Sequence, residues 1–541
     1  MLIDTTTLTL QYVPRSDEAY AILSHTWGSA AEEVTYQEMV APTRSESTLS
    51  KPGYHKIVQT CEIARTQYQL RWAWIDTCCI DKSSSAELSE AINSMFRWYR
   101  DAFVCFAYLA DMDENPTSFQ RSRWFTRGWT LQELIAPGDL VFFDGDWNFR
   151  GTKSSMGSQI SFATGIPAGV LENSIMLHDI PVAVRLSWAS KRETTRDEDL
   201  AYCLLGIFDV NIPMLYGEGT KAFMRLQEAI LSQSADMSLF LWTDRLLAQQ
   251  YTGLFAYAPS CFQQMSCANA EPTFTQPEFY PTNRGIRMKL GITWDSATGL
   301  AILPLEHSMT YDEKPLGIYL RRFGSDLFVR AQPQEYCSVS TEREYTVFTA
   351  AKSLTRSQSK AIESNVLRIS VPGDINPIRG EPLGSWDPAN SLIYAGYTGA
   401  SQGYLTFGKP GYDPFALVYC FRSGNWSATV VTGRRCEKIH IDFYKYFKEI
   451  FTELIPGSST ELAQIGYILA SNMKENILAL NMKENILALY MKESILDRNA
   501  KDAILVQFQG TAPSTPPYVL IQNVDFKGNR WERLRLLHKQ Y

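Results

Sequence analysis

A glutamate placed four residues after a tryptophan is the spacing in this 541-residue chain that most directly suggests chemistry. Trp129 and Glu133 lie in a segment that predicts one short helix, with Thr126 as its N-cap and Pro137-Gly138 as its end. Residues four apart share a helix face, so the carboxylate is predicted to lie beside the indole. The opposite face is apolar and predicted to be buried: Leu131, Leu134 and Ile135. Glu133 is therefore the first candidate catalytic group.

Four apolar runs alternate with amphipathic segments in the first 150 residues, and they predict the elements that would position Glu133. The runs are residues 20–24, 72–76, 102–109 and 139–143. Helical spacing over 54–68 and again from Ser84 or Ser85 to Arg100 fills the first two intervals, and the Glu133 helix fills the third. Continuous apolar strands alternating with helices indicate an α/β domain with a parallel sheet covered on both faces.

Polar side chains follow these strands and complete the candidate site. The substrate-binding candidates, besides Trp129 on the helix, are His25, Trp27, Asp76 and Asp81. Because ligands of such sheets bind outside the carboxyl ends of the strands, these groups are expected to converge around Glu133.

Each candidate also has a structural alternative. Asp76 and Asp81 are placed where a carboxylate caps the next helix, and His25 could be a hydrogen-bonded structural residue. For Glu133 the alternative is an ion pair with Arg127 or Arg123. A capping role is unfavourable for Glu133 because a carboxylate near a helix C-terminus opposes the helix dipole.

Other motifs in the chain are weaker. Residues 403–410 (GYLTFGKP) nearly match a phosphate-binding loop but end in Pro410 instead of Ser or Thr. Residues 217–222 (GEGTKA) fit a loose dinucleotide pattern without a surrounding βαβ unit. Ser24 lacks the elbow sequence of a nucleophilic serine, and His25 has no second His or Cys at metal-ligand spacing. We therefore predict no metal site and no resident cofactor.

Composition limits the class of protein. The formal net charge of −7 argues against a binder of nucleic-acid backbones. No apolar run approaches the roughly 18 residues of a membrane helix, and the N-terminal residues do not resemble a secretory signal. Ten scattered cysteines in a chain of this length do not form a disulfide framework. A cytoplasmic location is expected.

The remaining sequence predicts two further regions. Residues 151–245 are mostly helical in pattern, with helices expected over Asp197–Phe208 and Lys221–Leu231. From residue 246 to 541, short alternating apolar runs such as 254–257 predict an antiparallel β-rich domain of unknown role. Within it, a nonapeptide repeat at 472–496 is interpreted as a tandem duplication in a helical segment.

Three blocks of this sequence resemble the signature blocks of the fungal heterokaryon-incompatibility (HET) domain. They are residues 20–28 (YAILSHTWG), 74–81 (WIDTCCID) and 127–133 (RGWTLQE), in matching order and spacing. Residues 196–219 resemble the extension of large vegetative-incompatibility proteins. The resemblance implies three domains: a HET domain over 1–150, its helical extension over 151–245 and the β-rich domain over 246–541.

The HET domain is in turn similar to TIR domains, which implies a flavodoxin-like fold. Some TIR domains cleave NAD with a glutamate in a W-C-x-x-E-L helix, and residues 129–134 (WTLQEL) resemble that motif with Thr130 in place of Cys. The resemblance implies an effector of programmed cell death that acts on non-self recognition, with NAD as substrate and Glu133 as catalytic residue. It also implies self-association and incompatibility or NLR-type partner proteins. The alternative is a non-enzymatic module that signals by homotypic association.

Overall fold

The chain folds into two units in this computed structural model. One unit comprises Met1–Asp244, Phe255–Phe279 and Leu305–Leu316, and the other comprises Arg245–Leu254, Tyr280–Pro304 and Gly317–Tyr541. The three-domain division expected from the sequence stays a prediction. The structure describes residues 1–13, 18–113, 118–265, 269–270, 278–295, 297–308, 315–323, 327–339, 343–370, 376–382, 384–388, 390–395, 400–408, 414–422, 425–432, 436, 439, 477–482, 485–491, 502–509 and 518–525.

A seven-stranded sheet is the framework of the first unit. Its strands are β1 (Leu2–Asp4), β2 (Leu10–Gln11), β3 (Tyr20–His25), β4 (Trp72–Trp74), β5 (Val104–Tyr108), β6 (Leu140–Phe143) and β7 (Phe149–Thr152). Strand β3 pairs in parallel with β4 and β5, and β5 pairs in parallel with β6. The spatial order is β2-β1-β4-β3-β5-β6-β7. The predicted parallel sheet is therefore confirmed for its four central strands.

The order of those central strands defines where a ligand would bind. In chain order they stand as second, first, third and fourth, which is how a flavodoxin-like sheet begins. In such a sheet the crevice lies beyond the carboxyl ends of the first and third strands, here β3 and β5. The antiparallel edge strands β1, β2 and β7 were not anticipated from the sequence.

Helices cover this sheet and extend beyond it. They are α1 (Tyr36–Val40), α2 (Glu46–Leu49), α3 (Pro52–Gln67), α4 (Asp76–Cys79), α5 (Ser85–Asp101), α6 (Ser118–Arg121), α7 (Thr130–Ile135), α8 (Gly157–Thr164), α9 (Ala168–Leu171), α10 (Val182–Ser187), α11 (Asp199–Tyr202), α12 (Leu205–Phe208) and α13 (Lys221–Gln233). The predicted helices at α3, α5 and α13 are confirmed. Ser84 caps α5 by accepting a hydrogen bond from the Glu87 amide.

One predicted helix is divided in two. The sequence predicted a single helix over Asp197–Phe208, whereas the structure has α11 and α12. Asp209, after α12, adopts a left-handed backbone conformation that ends the second helix.

The second unit is rich in strands, as predicted. Five of them pair in a closed ring: β11 (Ile286–Asp295), β12 (Leu300–Pro304), β14 (Leu316–Phe323), β15 (Leu327–Ala331) and β17 (Glu344–Ala350). Only the pairing of β15 with β17 is parallel in this ring. The apolar run 254–257 is not a strand, and the nearby strand is β8 (Tyr251–Thr252).

Further sheets follow along the chain. The strands not yet named are β9 (Asn269–Ala270), β10 (Phe279–Pro281), β13 (His307–Ser308), β16 (Cys337–Ser338), β18 (Val366–Ser370), β19 (Asn376–Glu381), β20 (Trp386–Asp387), β21 (Leu392–Tyr394), β22 (Ala400–Gly408), β23 (Phe415–Arg422), β24 (Asn425–Thr432), β25 (Ile477–Met482), β26 (Asn485–Met491), β27 (Asp502–Gln509) and β28 (Tyr518–Asp525). One further helix is α14 (Arg356–Ser364). Residues 403–408 lie inside β22, which pairs with β19 and β23, so they form a strand and not a phosphate loop.

The helical interpretation of the nonapeptide repeat is wrong for its described residues, and residues 472–476, 483–484 and 492–496 lie outside them. Strands β25 and β26 contain parts of the two complete copies and pair in antiparallel register, with Ala479 opposite Ala488. Each copy contributes the same Ile-Leu-Ala-Leu run to this hairpin, and β26 pairs onward with β27. Pairing with a neighbouring strand has therefore overridden the local helical preference.

Candidate active site

The Glu133 helix is shorter and more deeply buried than predicted. Helix α7 begins at Thr130, because Thr126 ends a separate 3₁₀ turn (Arg123–Thr126) and Trp129 occupies the N-cap position. All six residues of α7 are buried, so the helix has no exposed face. Because α7 is enclosed by the rest of the unit on all sides, the position of Glu133 is fixed.

Polar contacts hold both ends of α7. At its start, the Thr130 hydroxyl lies between the carbonyl oxygens of Trp124 and Arg127. At its end, the Lys153 ammonium donates to the carbonyl oxygens of Leu134, Ile135 and Pro137. A cation at a helix C-terminus satisfies unpaired carbonyl groups and the helix dipole. Burial lowers the pKa of Lys153 to about 8.

Glu133 is hydrogen-bonded to Ser24, a residue of the central strand β3. The Ser24 hydroxyl, at the carboxyl end of β3, donates a hydrogen bond to Oε2 of Glu133. Ser24 in turn accepts a hydrogen bond of 2.8 Å from the indole N–H of Trp124. The expected alternative, an ion pair of Glu133 with Arg123 or Arg127, is wrong. Those side chains donate to the Trp27 carbonyl and the Thr195 hydroxyl, respectively.

The surroundings of Glu133 favour its protonated form. Its side chain is 4% exposed, and this burial raises its pKa to about 8, with a further increase from the charge of Asp76. The hydrogen bond from Ser24, the charge of Arg192 and the Tyr99 hydroxyl oppose the increase. A carboxyl group with a pKa raised this far is mostly protonated at pH 7. A carboxyl group kept neutral near physiological pH is a common property of catalytic sites.

A second set of polar groups surrounds Asp76, the first residue of α4. His25 Nε2 lies 3.2 Å from one carboxylate oxygen of Asp76, and the Trp27 indole N–H donates to the other at 2.9 Å. On its other side, His25 Nδ1 lies 3.1 Å from the Lys56 ammonium, which also contacts Glu33 at 2.7 Å. An ammonium group only donates hydrogen bonds, so Nδ1 accepts and Nε2 carries the proton that points at Asp76. The network therefore fixes the tautomer of His25.

The charges near Asp76 keep it ionised. Burial by itself would raise the pKa of Asp76, but the hydrogen bond from His25 and the charge of Lys82 outweigh burial and lower the pKa below its ordinary value. Two carboxyl groups in one site thus differ in protonation, with Asp76 ionised and Glu133 neutral. Divergent pKa values in a carboxyl pair are typical of sites that separate acid and base roles.

Trp27 is the solvent-facing part of this arrangement. Its side chain is 45% exposed. The Lys82 ammonium lies 3.7 Å from the centre of its ring, a cation–π contact. Arg123 donates a hydrogen bond of 3.0 Å to the Trp27 carbonyl oxygen. An exposed indole with cations beside it can bind a planar ring that carries negative groups.

The structure therefore joins three of the six predicted site residues by hydrogen bonds, His25, Trp27 and Asp76, and the charge of Asp76 acts on a fourth, Glu133. Trp129 does not share a face with Glu133, because its indole N–H lies 3.3 Å from a carboxylate oxygen of Asp199. Asp81 accepts hydrogen bonds from Gln37 at 2.7 Å and from the backbone and hydroxyl of Ser83. These contacts place Asp81 in the turn before α5, and since Ser84 is the N-cap of that helix, Asp81 does not cap it.

Several residues that complete the site were not predicted from the sequence to belong to it: Ser24, which was considered only as a nucleophile, and Lys56, Tyr99, Trp124 and Arg192. A polar residue in the continuous apolar run of β3 was the available signal for Ser24. Lys56 and Tyr99 lie on helices α3 and α5, and only the packing of those helices on the sheet reveals their position. No spacing in the sequence links Arg192 to Glu133.

Within the described part of the chain, no group of three or more His, Cys, Asp or Glu side chains is arranged to hold a metal ion. Of the helices that the structure describes, none is both long enough and apolar enough to span a bilayer.

Comparison with known proteins shows which family this domain is similar to. Residues 20–121 match the family model described as "Heterokaryon incompatibility protein (HET)". Over 222 residues, 39% of this chain, the sequence is 49% identical to "Vegetative incompatibility protein HET-E-1" of Podospora anserina. The match covers 16% of that relative, so this chain corresponds to a small part of its length. No solved structure matches the chain.

Proposed function

We propose, from the HET domain that residues 20–121 form, that this chain acts in heterokaryon incompatibility and promotes programmed cell death on non-self recognition in a filamentous fungus. The proposed chemistry is TIR-like cleavage of NAD in the cytoplasm, at Glu133. The observation that supports it is a buried carboxyl group that is hydrogen-bonded to Ser24 at the carboxyl end of β3 and that feels the charge of Asp76, the carboxylate to which the exposed Trp27 donates. NAD is a substrate in this proposal and not a resident cofactor.

The reaction places a specific demand on Glu133. Cleavage breaks the bond between ribose and the nicotinamide nitrogen, and the bonding electrons leave with neutral nicotinamide. The ribose carbon becomes oxocarbenium-like, and water adds to it to give ADP-ribose and a proton. A nearby carboxylate stabilises that positive charge and binds ribose hydroxyl groups. Trp27 would stack on a ring of the dinucleotide, while Asp76 and His25 would bind its polar groups.

The test is nicotinamide release from NAD by purified full-length protein at high concentration. Glu133→Gln should abolish release, because the amide cannot supply a negative charge. This variant should still fold, since glutamine resembles the protonated acid and keeps an acceptor for Ser24. Glu90→Gln, at an exposed position on α5, is the matched control and should retain activity. Equal release by Glu133→Gln and the wild type would refute the assignment.

The pH dependence of release is a second prediction. Only the carboxylate form of Glu133 is competent, and its pKa is about 8. Nicotinamide release should therefore rise with pH through about 8, with most of the protein inactive at pH 6. A rate that is flat from pH 6 to 9 would contradict a role for the ionised group.

A non-enzymatic signalling module is the second candidate, and the deep burial of Glu133 favours it. A side chain 4% exposed and bonded to Ser24 also satisfies a purely structural role. In that case the chain would act by self-association or with other incompatibility or NLR-type proteins. Cell killing by overexpressed Glu133→Gln protein, lost in variants that block self-association, would favour this candidate over NAD cleavage.

A further inference from the structure

The segment that follows α10 is joined directly to the start of the Glu133 helix. Glu193 forms an isolated parallel bridge with Arg127. Its amide donates to the Thr126 carbonyl at 2.6 Å, and its carbonyl accepts from the Gly128 amide at 2.9 Å. Both this segment and α7 lie outside residues 20–121, which match the HET family model. The residues immediately before α7 therefore take their position partly from a later part of the chain.

Close packing reinforces this joint. A Cβ atom at Gly128 would lie 2.4 Å from the Thr194 methyl carbon and 3.2 Å from the Cys203 sulfur. Next to it, the Trp129 indole N–H meets Asp199 at 3.3 Å. Only glycine allows the two segments to approach so closely at this point. The start of α7 is therefore held by close packing as well as by hydrogen bonds. We call these contacts of residues 126–129 with Glu193, Thr194, Asp199 and Cys203 the clamp.

Arg192 is the charged group at the centre of the clamp. It is 6% exposed, and its Nη1 donates to the Arg127 carbonyl at 2.7 Å and to the Thr130 hydroxyl at 2.9 Å. Its Nε donates to the Trp188 carbonyl at 3.3 Å. Its Nη2 has no hydrogen-bond partner in the described part of the chain. All of its hydrogen bonds go to neutral oxygens, so its charge is not neutralised by a bonded carboxylate.

The charge of Arg192 reaches Glu133, where it lowers the pKa of the carboxyl group. The other titratable groups that face Glu133 are Asp76 from α4, Tyr99 from α5 and Cys105 from β5. Asp76 disfavours the carboxylate, whereas Tyr99 and Arg192 favour it. Arg192 is the cation among these groups, so removing it should destabilise the ionised form of Glu133 more than the protonated form.

We propose that Arg192 is a positioning residue for Glu133: it fixes the first turn of α7 through Arg127 and Thr130, and it stabilises the carboxylate that the reaction needs. The inference rests on the proposed function only in treating Glu133 as the reacting group. Through these contacts, the segment after α10 helps to position the catalytic residue.

The first test is a direct titration of Glu133 by NMR, with ¹³C-labelled glutamate side chains and Glu133→Gln to assign the signal. Arg192→Gln keeps a donor for the Arg127 carbonyl but removes the charge. It should raise the pKa of Glu133, since a nearby positive charge favours the carboxylate over the protonated acid. Arg192→Lys restores the charge and should bring the pKa back toward the wild-type value. A folded Arg192→Gln protein with an unchanged Glu133 titration would overturn the proposal.

The second test covers the case in which Arg192→Gln does not fold. In Arg192→Lys the shorter, flexible side chain loses the Nε contact to the Trp188 carbonyl and holds the Arg127 and Thr130 oxygens less rigidly than the planar guanidinium does. The amides of α7 should then exchange hydrogen at least several-fold faster than in the wild type, whereas those of α13 should not change. Unchanged exchange in α7 would overturn the positioning role. Neither test uses NAD, so a wild-type protein that releases no nicotinamide would refute the proposed function without deciding the role of Arg192.

Discussion

The protonation of Glu133 can be shifted in opposite directions by two substitutions. Ser24→Ala removes a hydrogen bond to the carboxylate, and Asp76→Asn removes a neighbouring negative charge. A hydrogen bond to a charged group contributes about 1.5–3 kcal/mol, part of which persists when the acid is protonated. A difference of about 1.4 kcal/mol corresponds to one pKa unit. Ser24→Ala should therefore raise the pKa of Glu133 from about 8 toward 9, and Asp76→Asn should lower it toward 7.

The assay is the NMR titration of the labelled Glu133 carboxyl carbon from pH 5 to 10. Ser85→Ala, at an exposed serine of α5, is the control for Ser24→Ala and should leave the titration unchanged. Ser24→Ala should also destabilise the fold by about 1–3 kcal/mol, because the buried Trp124 indole N–H loses its acceptor. General loosening of the site would move both pKa values the same way, toward that of a solvated carboxyl group. Shifts of equal sign, or no shift in either variant, would refute the electrostatic description of the site.

Two further predictions concern stability. His307 lies 3.2 Å from Asp236. Burial alone would lower the pKa of His307, but this ion pair outweighs burial and raises the pKa above 6.5. The stabilising effect of the ion pair is therefore complete below pH 6.5 and is lost as pH rises through the higher folded-state pKa of His307. The thermal midpoint of His307→Gln should thus fall well below that of the wild type at pH 6 and approach it at pH 9, and a pH-independent difference would contradict this. Gly128→Ala places a Cβ 2.4 Å from Thr194 and should destabilise the protein by about 1–3 kcal/mol in thermal unfolding. Gly138→Ala, where a Cβ meets no atom within 4 Å, is its control, and equal midpoints for the two variants would refute the clamp.

The sheet was predictable where the sequence carries a strong pattern. Strands β3 and β5 are continuous apolar runs between amphipathic helices, and such runs indicate buried parallel strands. The edge strands β1 and β2 have only three and two residues, too few to show any periodicity. The helical prediction for the nonapeptide repeat was wrong for a related reason. Strand pairing decided the conformation of a sequence that is locally compatible with a helix.

The candidate site was predictable to the extent that strand ends determine it. The rule that ligands bind beyond the carboxyl ends of parallel strands placed His25 and Asp76 near Glu133. Helical spacing misplaced Trp129, because it occupies the N-cap of a completely buried helix and its indole meets Asp199. Arg192 could not have been found, since it acts over a long separation in sequence through backbone carbonyl groups.

The most direct test of the central claim is a crystal structure of the Glu133→Gln protein bound to NAD. The nicotinamide ribose should lie within hydrogen-bond distance of residue 133, with a ring of the dinucleotide against Trp27 and polar contacts to Asp76. The Ser24 hydroxyl should still donate to the substituted side chain. NAD bound elsewhere, or a saturating concentration of NAD that leaves this edge of the sheet empty, would contradict the account.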